Sequence, residues 1–263
     1  MYTSNGPGTR WTCAGRFARH AAYSEHLIHA PIPGKKTPSR LSRHIRRLRV
    51  FHGAPAAPPS RDPYHLLLLE QVAYLADDAT RLSAFRLLTQ RVGLDVDDIL
   101  GAGTSTLRAV ARHGGAIAVA ARAERLRMIA DRVDRVWKGD LRPVLKRPLA
   151  EARRELARYP SIGEAGAERI LLLCGSHAVL GLDSNALRVL LRLGYGRDLA
   201  RWDRTYREVQ TAASAELPAT IGARQRAFLL LRRHGQTLCR RSAPRCVACP
   251  LVVDCPTGRD RTS

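Results

Sequence analysis

Cys239, Cys246, Cys249 and Cys255 lie close together near the C-terminus, in the pattern C-x6-C-x2-C-x5-C. Four thiols in so short a stretch either cross-link or hold metal, and each outcome dictates the path of the chain around them. Nothing at the N-terminus has the charged, apolar, small-residue order of a secretion signal. A reducing compartment is therefore expected: the bacterial cytoplasm and its nucleoid, or a mitochondrion or nucleus in a eukaryote. Clustered thiols there favour metal over disulfides. Zinc modules usually pair two C-x2-C knuckles, and this chain has one. Four thiolates in one loop also suit a [4Fe–4S] cluster, and zinc remains the alternative. Cys13 and Cys174 stand outside the set, and Cys174, in an apolar helix, reads as core.

The charge narrows the partner. Across 263 residues, 44 Lys and Arg face 23 Asp and Glu, a formal charge of +21. Such an excess attracts polyanions, because neutralising phosphates releases counterions. No apolar run reaches the ~20 residues that cross a bilayer, and no basic amphipathic helix stands apart as an anchor, so nucleic acid is expected rather than membrane. Residues 1–37 have no helical or strand period and read as a basic, disordered tail. A DNA-touching arm or an organellar transit peptide would share its composition.

From Ser39 onward the period is helical. Leu41, Ile45 and Leu48 mark one face of a first helix, followed by a Pro/Ala linker from Gly53 to Ser60. Asp62-Pro63 offers an N-cap with proline at the first helical position. Helices are expected roughly over 63–76, 78–91, 104–112, 118–137, 148–158, 164–175, 184–193, 203–216 and 222–238. No alternating stretch suggests a strand, so the fold class is all-α.

Two helices joined by Pro160-Ser161-Ile162-Gly163 form a helix–hairpin–helix. Its turn can point backbone N–H groups at a DNA phosphate without any side-chain charge. Asp183 follows, where a new helix begins. Taken alone it reads as an N-cap.

The sequence resembles the helix–hairpin–helix glycosylase superfamily, in its endonuclease III branch. The resemblance rests on Tyr159-Pro160-Ser161-Ile162-Gly163, on Leu182-Asp183-Ser184-Asn185 with Arg188-Val189, and on the cysteine cluster with His234-Gly235 ahead of it. It covers about residues 39–257. It implies a two-lobed fold: a six-helix domain over 62–177 ending in the hairpin, and an iron–sulfur domain built from 39–61 and 178–257. It implies a monomer that binds double-stranded DNA carrying a damaged or mismatched base, with Asp183 catalytic and the four cysteines holding a [4Fe–4S] cluster. A fixed carboxylate stabilises the cationic sugar that forms as an N-glycosidic bond breaks, and can deprotonate the attacking water. The loop closed by the cluster carries Arg240, Arg241 and Arg245, which would meet a DNA backbone or form a solvated basic surface.

The departures define the chemistry. Bifunctional relatives carry a nucleophilic lysine two residues after the last hairpin glycine. Here that residue is Ala165, and no lysine follows Lys146. Ser161 stands where the family usually has glycine. Asp62-Pro63-Tyr64 with Glu70 resembles the monofunctional mismatch-repair members, in which such a glutamate protonates the leaving base; a solvated helix glutamate is the alternative. The same alignment puts Leu75 where a residue fills the hole left by the flipped base, though a core leucine is the plainer reading. A hydrolytic, monofunctional glycosylase is expected, with a non-catalytic DNA-damage binder as the alternative.

Overall fold

The computed structural model describes residues 37–262. Cys13 and the basic tail, apart from Thr37, lie outside the described residues. Among those described there are helices and no strand, as the periodicity requires. No helix is long and apolar enough to cross a membrane. The order is α1 (Arg40–His52), α2 (Pro63–Val72), α3 (Asp78–Arg91), α4 (Val96–Gly101), α5 (Thr104–His113), α6 (Val119–Trp137), α7 (Leu149–Leu156), α8 (Glu164–Cys174), α9 (Ser184–Arg192), α10 (Trp202–Ala215), α11 (Ile221–Thr237) and α12 (Pro256–Asp260). Short 3-10 turns cover Arg142–Lys146, Cys246–Ala248 and Val252–Asp254. Neither α4 nor the first 3-10 turn was legible, because a six-residue helix is too short to display a period. What starts α4 is a capping box between Asp95 and Asp98.

Aspartates open the helices that matter here. Asp62 accepts from the Tyr64 amide at 2.8 Å with Pro63 at the first position, and Asp77 accepts from Thr80 at 2.8 Å. Each satisfies a backbone donor that the helix cannot.

The buried apolar residues form two clusters. One gathers α2 to α7 with Ile170, Leu171 and Cys174 of α8. The other gathers Leu41, Ile45 and Leu48 of α1 with α9, α10, α11 and Leu251. Ala165 and Leu172 of α8 belong to the second cluster. Helix α8 is thus a wall shared by both, which explains why it is apolar on nearly every side.

Helix α2 ends at Val72, four residues before the expected stop. The Val72 carbonyl accepts from Arg122 Nη1 at 2.7 Å, and Arg122 also donates to the carbonyls of Ile117 and Gly115. Gly114 lies against the same carbonyl, where a Cβ would come within 1.9 Å of the oxygen. A buried cation therefore caps the helix with main-chain oxygens. The chain is free to turn outward at Tyr74 and Leu75.

The hairpin turn follows α7. The Ile162 amide donates to the Tyr159 carbonyl at 3.1 Å, Ile162 is buried, and Gln71 Nε2 holds the Pro160 carbonyl at 3.0 Å. Ser161 has φ +62°, so the left-handed conformation for which glycine is favoured is present without the glycine. Ser161→Gly is expected to cost no stability. Ser161→Val should cost roughly 1–2 kcal/mol, since a β-branched side chain meets the left-handed penalty in full. Chemical denaturation of both variants measures the difference, and equal losses would show that the turn is unstrained.

Candidate active site and cysteine centre

Asp183 is the N-cap of α9. Its Oδ1 accepts from the Ala186 amide at 2.8 Å. Its Oδ2 accepts from Arg232 Nη1 of α11 at 2.8 Å and from Asn185 Nδ2 at 3.3 Å. The carboxylate is both a cap and a fixed charge at a helix N-terminus, and only 11% of its side chain is exposed. The residues ahead of it are pinned. Tyr206 Oη accepts from the Leu182 amide at 3.2 Å and donates to buried Glu168 at 2.7 Å. Gln210 donates to the Leu180 carbonyl at 2.9 Å, and Arg169 Nη1 to the Leu182 carbonyl at 3.1 Å. Asn185 in turn accepts from Arg188, which donates onward to the carbonyls of Gly235 and Cys239. The motif around Asp183 thus fastens its helix to the start of the cysteine loop.

Arg232 also donates through Nε to Asp78 Oδ1 of α3 at 2.8 Å. Asp78, Arg232 and Glu70 line a cavity of about 470 Å³, walled on one side by the linker residues Pro55 to Pro59. Glu70 sits between Arg81 at 3.1 Å and Arg169 at 3.4 Å. Burial alone would raise its carboxyl, but the guanidinium groups of Arg81, Arg169 and Arg232 outweigh burial and bring it to about 2. A general acid must hold a proton near neutral pH. Flanked by arginines, Glu70 is held as a carboxylate in the free protein, so the acid role expected of it would require a bound base to displace those partners.

The hairpin presents open backbone. Gly163 caps α8 without a side-chain partner, and a Cβ there would meet nothing within 4 Å. Ser161 and Gly163 are exposed and Pro160 half-buried, while Ile162 is buried and Glu164, the first residue of α8, pairs with Arg207. Ala165 is buried in the second cluster, so no side chain reaches out from the lysine position. Leu75 is not core. It is 76% exposed with φ +53°, next to half-exposed Tyr74, because Arg122 ends α2 before this turn.

The four cysteines line one small cavity with Val189, Leu193, Leu238 and Leu251. Among the described residues no group of three or more His, Cys, Asp or Glu has the arrangement of a site for one metal ion. The surroundings suit sulfur ligands. Cys249 Sγ accepts from the Leu251 amide at 3.4 Å, Cys255 Sγ from Gly258 at 3.3 Å, and Cys239 Sγ from Arg192 at 3.4 Å. Such N–H donors stabilise thiolates and tune iron–sulfur groups. Burial pushes the Cys249 thiol up to about 11, an effect that a bound cation reverses. The donor set fits an iron–sulfur group in its chemistry. Arg240, Arg241 and Arg245 are all exposed on the loop between the first two cysteines. Arg192 holds that loop by donating to the carbonyls of Arg240 at 2.8 Å and Arg241 at 3.1 Å.

The same architecture occurs in solved structures. A trapped endonuclease III–DNA covalent intermediate superposes with a TM-score of 0.66 at 20% identity, covering 84% of this chain and 97% of that one. The fold is that of the endonuclease III-like DNA glycosylases. A thermostable thymine-DNA glycosylase shares this fold with a TM-score of 0.65 at 18% identity, over 84% of this chain and 97% of its own. A 3-methyladenine DNA glycosylase from H. pylori, bound to 1,N6-ethenoadenine, gives 0.58 at 15%, over 74% and 96%. In sequence, endonuclease III of Bacillus subtilis is 27% identical over 109 residues, which are 41% of this chain. That match spans about half, 47%, of the enzyme's length. No protein-family profile matches the chain. Within the endonuclease III fold, Asp78, Arg81, Arg169 and Arg232 are the polar residues that sequence reasoning missed. Each lies on a helix where a charged residue reads as a solvated face, and their convergence depends on how α3, α8 and α11 cross.

The Glu70 charge has a measurable consequence. Its carboxyl is depressed from the ordinary 4.5 to about 2, so its stabilisation is present above pH 4.5 and is lost as pH falls toward 2. Glu70→Gln is expected to cost roughly 2 kcal/mol at pH 7, because two arginines lose their partner, and progressively less below pH 4. Denaturation at pH 7 and pH 3 checks this. A loss that does not depend on pH would mean that the ion pairs are not its source.

Proposed function

We propose that this protein is a base-excision repair DNA glycosylase, hydrolysing the N-glycosidic bond of a damaged or mismatched base with water as nucleophile. The observation that carries the reading is the fixed Asp183 carboxylate at the N-terminus of α9, beside a lysine position filled by buried Ala165. As the base leaves, positive charge builds on the deoxyribose. Asp183 stabilises that charge and accepts a proton from the attacking water. No amine stands at the lysine position to form an imine there, so strand cleavage by that route is not expected.

Double-stranded DNA is the proposed partner, in keeping with the +21 charge and with structural neighbours determined as DNA complexes. The hairpin would seat a phosphate at the open Gly163 backbone. Arg240, Arg241 and Arg245 would meet the backbone further along. Leu75, exposed on a left-handed turn, would fill the space of the extruded base. The two buried clusters would be the two lobes, over 62–177 and over 39–61 with 178–257. Cys239, Cys246, Cys249 and Cys255 would hold a [4Fe–4S] cluster that fixes the arginine loop. The ion pair between Asp183 and Arg232 favours a second reading, a damage binder without turnover, because a paired carboxylate stabilises a sugar cation less.

Incubation with duplexes bearing modified or mismatched bases, followed by alkali, should reveal abasic sites, and strands should stay whole without alkali. Asp183→Asn retains a capping oxygen but not the charge, so it should keep duplex binding and lose turnover by roughly 10²-fold or more. Borohydride should trap no adduct. Full activity in Asp183→Asn would reduce Asp183 to a helix cap, and robust trapping would reveal another nucleophile.

The purified protein should be brown, with broad absorbance near ~400 nm and iron bound through the four cysteines. A colourless protein with one zinc per chain would replace the iron–sulfur assignment.

A further inference from the structure

Arg232 bridges two carboxylates that belong to different parts of the fold. Its Nη1 donates to Asp183 Oδ2 at 2.8 Å, its Nε to Asp78 Oδ1 at 2.8 Å, and its Nη2 lies 2.6 Å from the same Asp78 oxygen. Asp78 is the first residue of α3, Asp183 caps α9, and Arg232 is on α11. The Arg232 and Asp183 side chains are each 11% exposed. One guanidinium shared between two carboxylates is not spent on either alone. Arg232 can therefore fix the direction of the Asp183 carboxylate while dividing its positive charge with Asp78. Gln236 adds a further contact to Asp78 at 3.3 Å. The Ala186 amide fixes one oxygen of Asp183, and Arg232 fixes the other.

We infer that Arg232, held by Asp78, is a positioning residue that orients the Asp183 carboxylate for its reaction. The inference rests on the reading of Asp183 as the charge that stabilises the sugar cation. Asp78 then has a role of its own. It shares the guanidinium, so that Arg232 aligns Asp183 and does not neutralise it. Removing either residue should impair the same step for opposite electrostatic reasons. Without Arg232 the carboxylate is misaligned. Without the Asp78 charge, Arg232 pairs with Asp183 alone.

The test is single-turnover base release by the full chain at saturating protein, with affinity for a duplex containing a tetrahydrofuran abasic analogue measured in parallel. Arg232→Met is expected to slow release by at least tenfold with affinity changed less than threefold. Arg232→Lys should recover part of the rate, and added guanidinium ion should restore Arg232→Gly. Asp78→Asn should also slow release, and Arg232→Met should have no further effect in Asp183→Asn. Wild-type rates in Arg232→Met, while Asp183→Asn is inactive, would overturn the inference and leave the glycosylase reading intact. So would a parallel loss of affinity and rate with no rescue by Lys or guanidinium. Full activity in Asp183→Asn, or no base release by the native protein, would strike the underlying reading instead. Nitrogen-15 NMR of the Arg232 guanidinium provides an activity-free readout. Hindered rotation that Asp78→Asn and Asp183→Asn each relax supports the bridge, and free rotation in the native protein overturns it.

Discussion

Gly181 lies so close to α8 that a Cβ there would come within 2.4 Å of the Arg169 amide nitrogen. Only glycine allows that approach, and the geometry around Asp183 follows from it. Residues 180–182 run along the shared helix, pinned by Tyr206, Gln210 and Arg169, and they deliver Asp183 to the start of α9. The same helix carries the hairpin turn at its N-terminus. The hairpin turn and the loop that delivers the carboxylate are thus both fastened to one rigid element.

The charges around the cavity follow a single rule. Glu70 and Asp78, which line the cavity, are matched by guanidinium groups, Glu70 by Arg81 and Arg169 and Asp78 by Arg232, which also pairs with Asp183 behind it. This pairing keeps ionised groups stable in a part-buried setting, where an unpaired charge would be costly. It also holds the Glu70 carboxyl low, which favours its ionised form.

Much of this was legible in the sequence. Helical period, the Asp-Pro start of α2, the hairpin residues and the cysteine spacing are local signals, and local signals survive in one dimension. Asp183 read alone as an N-cap, and it is one. What was hidden depends on tertiary crossings. Arg232 lies between Leu231 and Arg233 of α11, and nothing local distinguishes it from its neighbour Arg233. Its role emerges only where α3, α9 and α11 meet. Leu75 reads as core because its neighbours in sequence are apolar, yet Arg122, more than 40 residues on, ends α2 and turns Leu75 outward. Glu70 stands out in the sequence by its distance from Asp62-Pro63-Tyr64, but its environment, which decides its protonation, comes from α3 and α8.

The central claim is that the Asp183 carboxylate is built to stabilise a cationic sugar. The most direct measurement compares affinity for two otherwise identical duplexes, one with a neutral tetrahydrofuran abasic analogue and one with a positively charged pyrrolidine in its place. A site complementary to the charged transition state should bind the pyrrolidine duplex roughly 10²-fold more tightly, and Asp183→Asn should erase the preference while leaving tetrahydrofuran affinity unchanged. Equal affinity for the two duplexes in the native protein, or a preference that survives Asp183→Asn, would contradict the account.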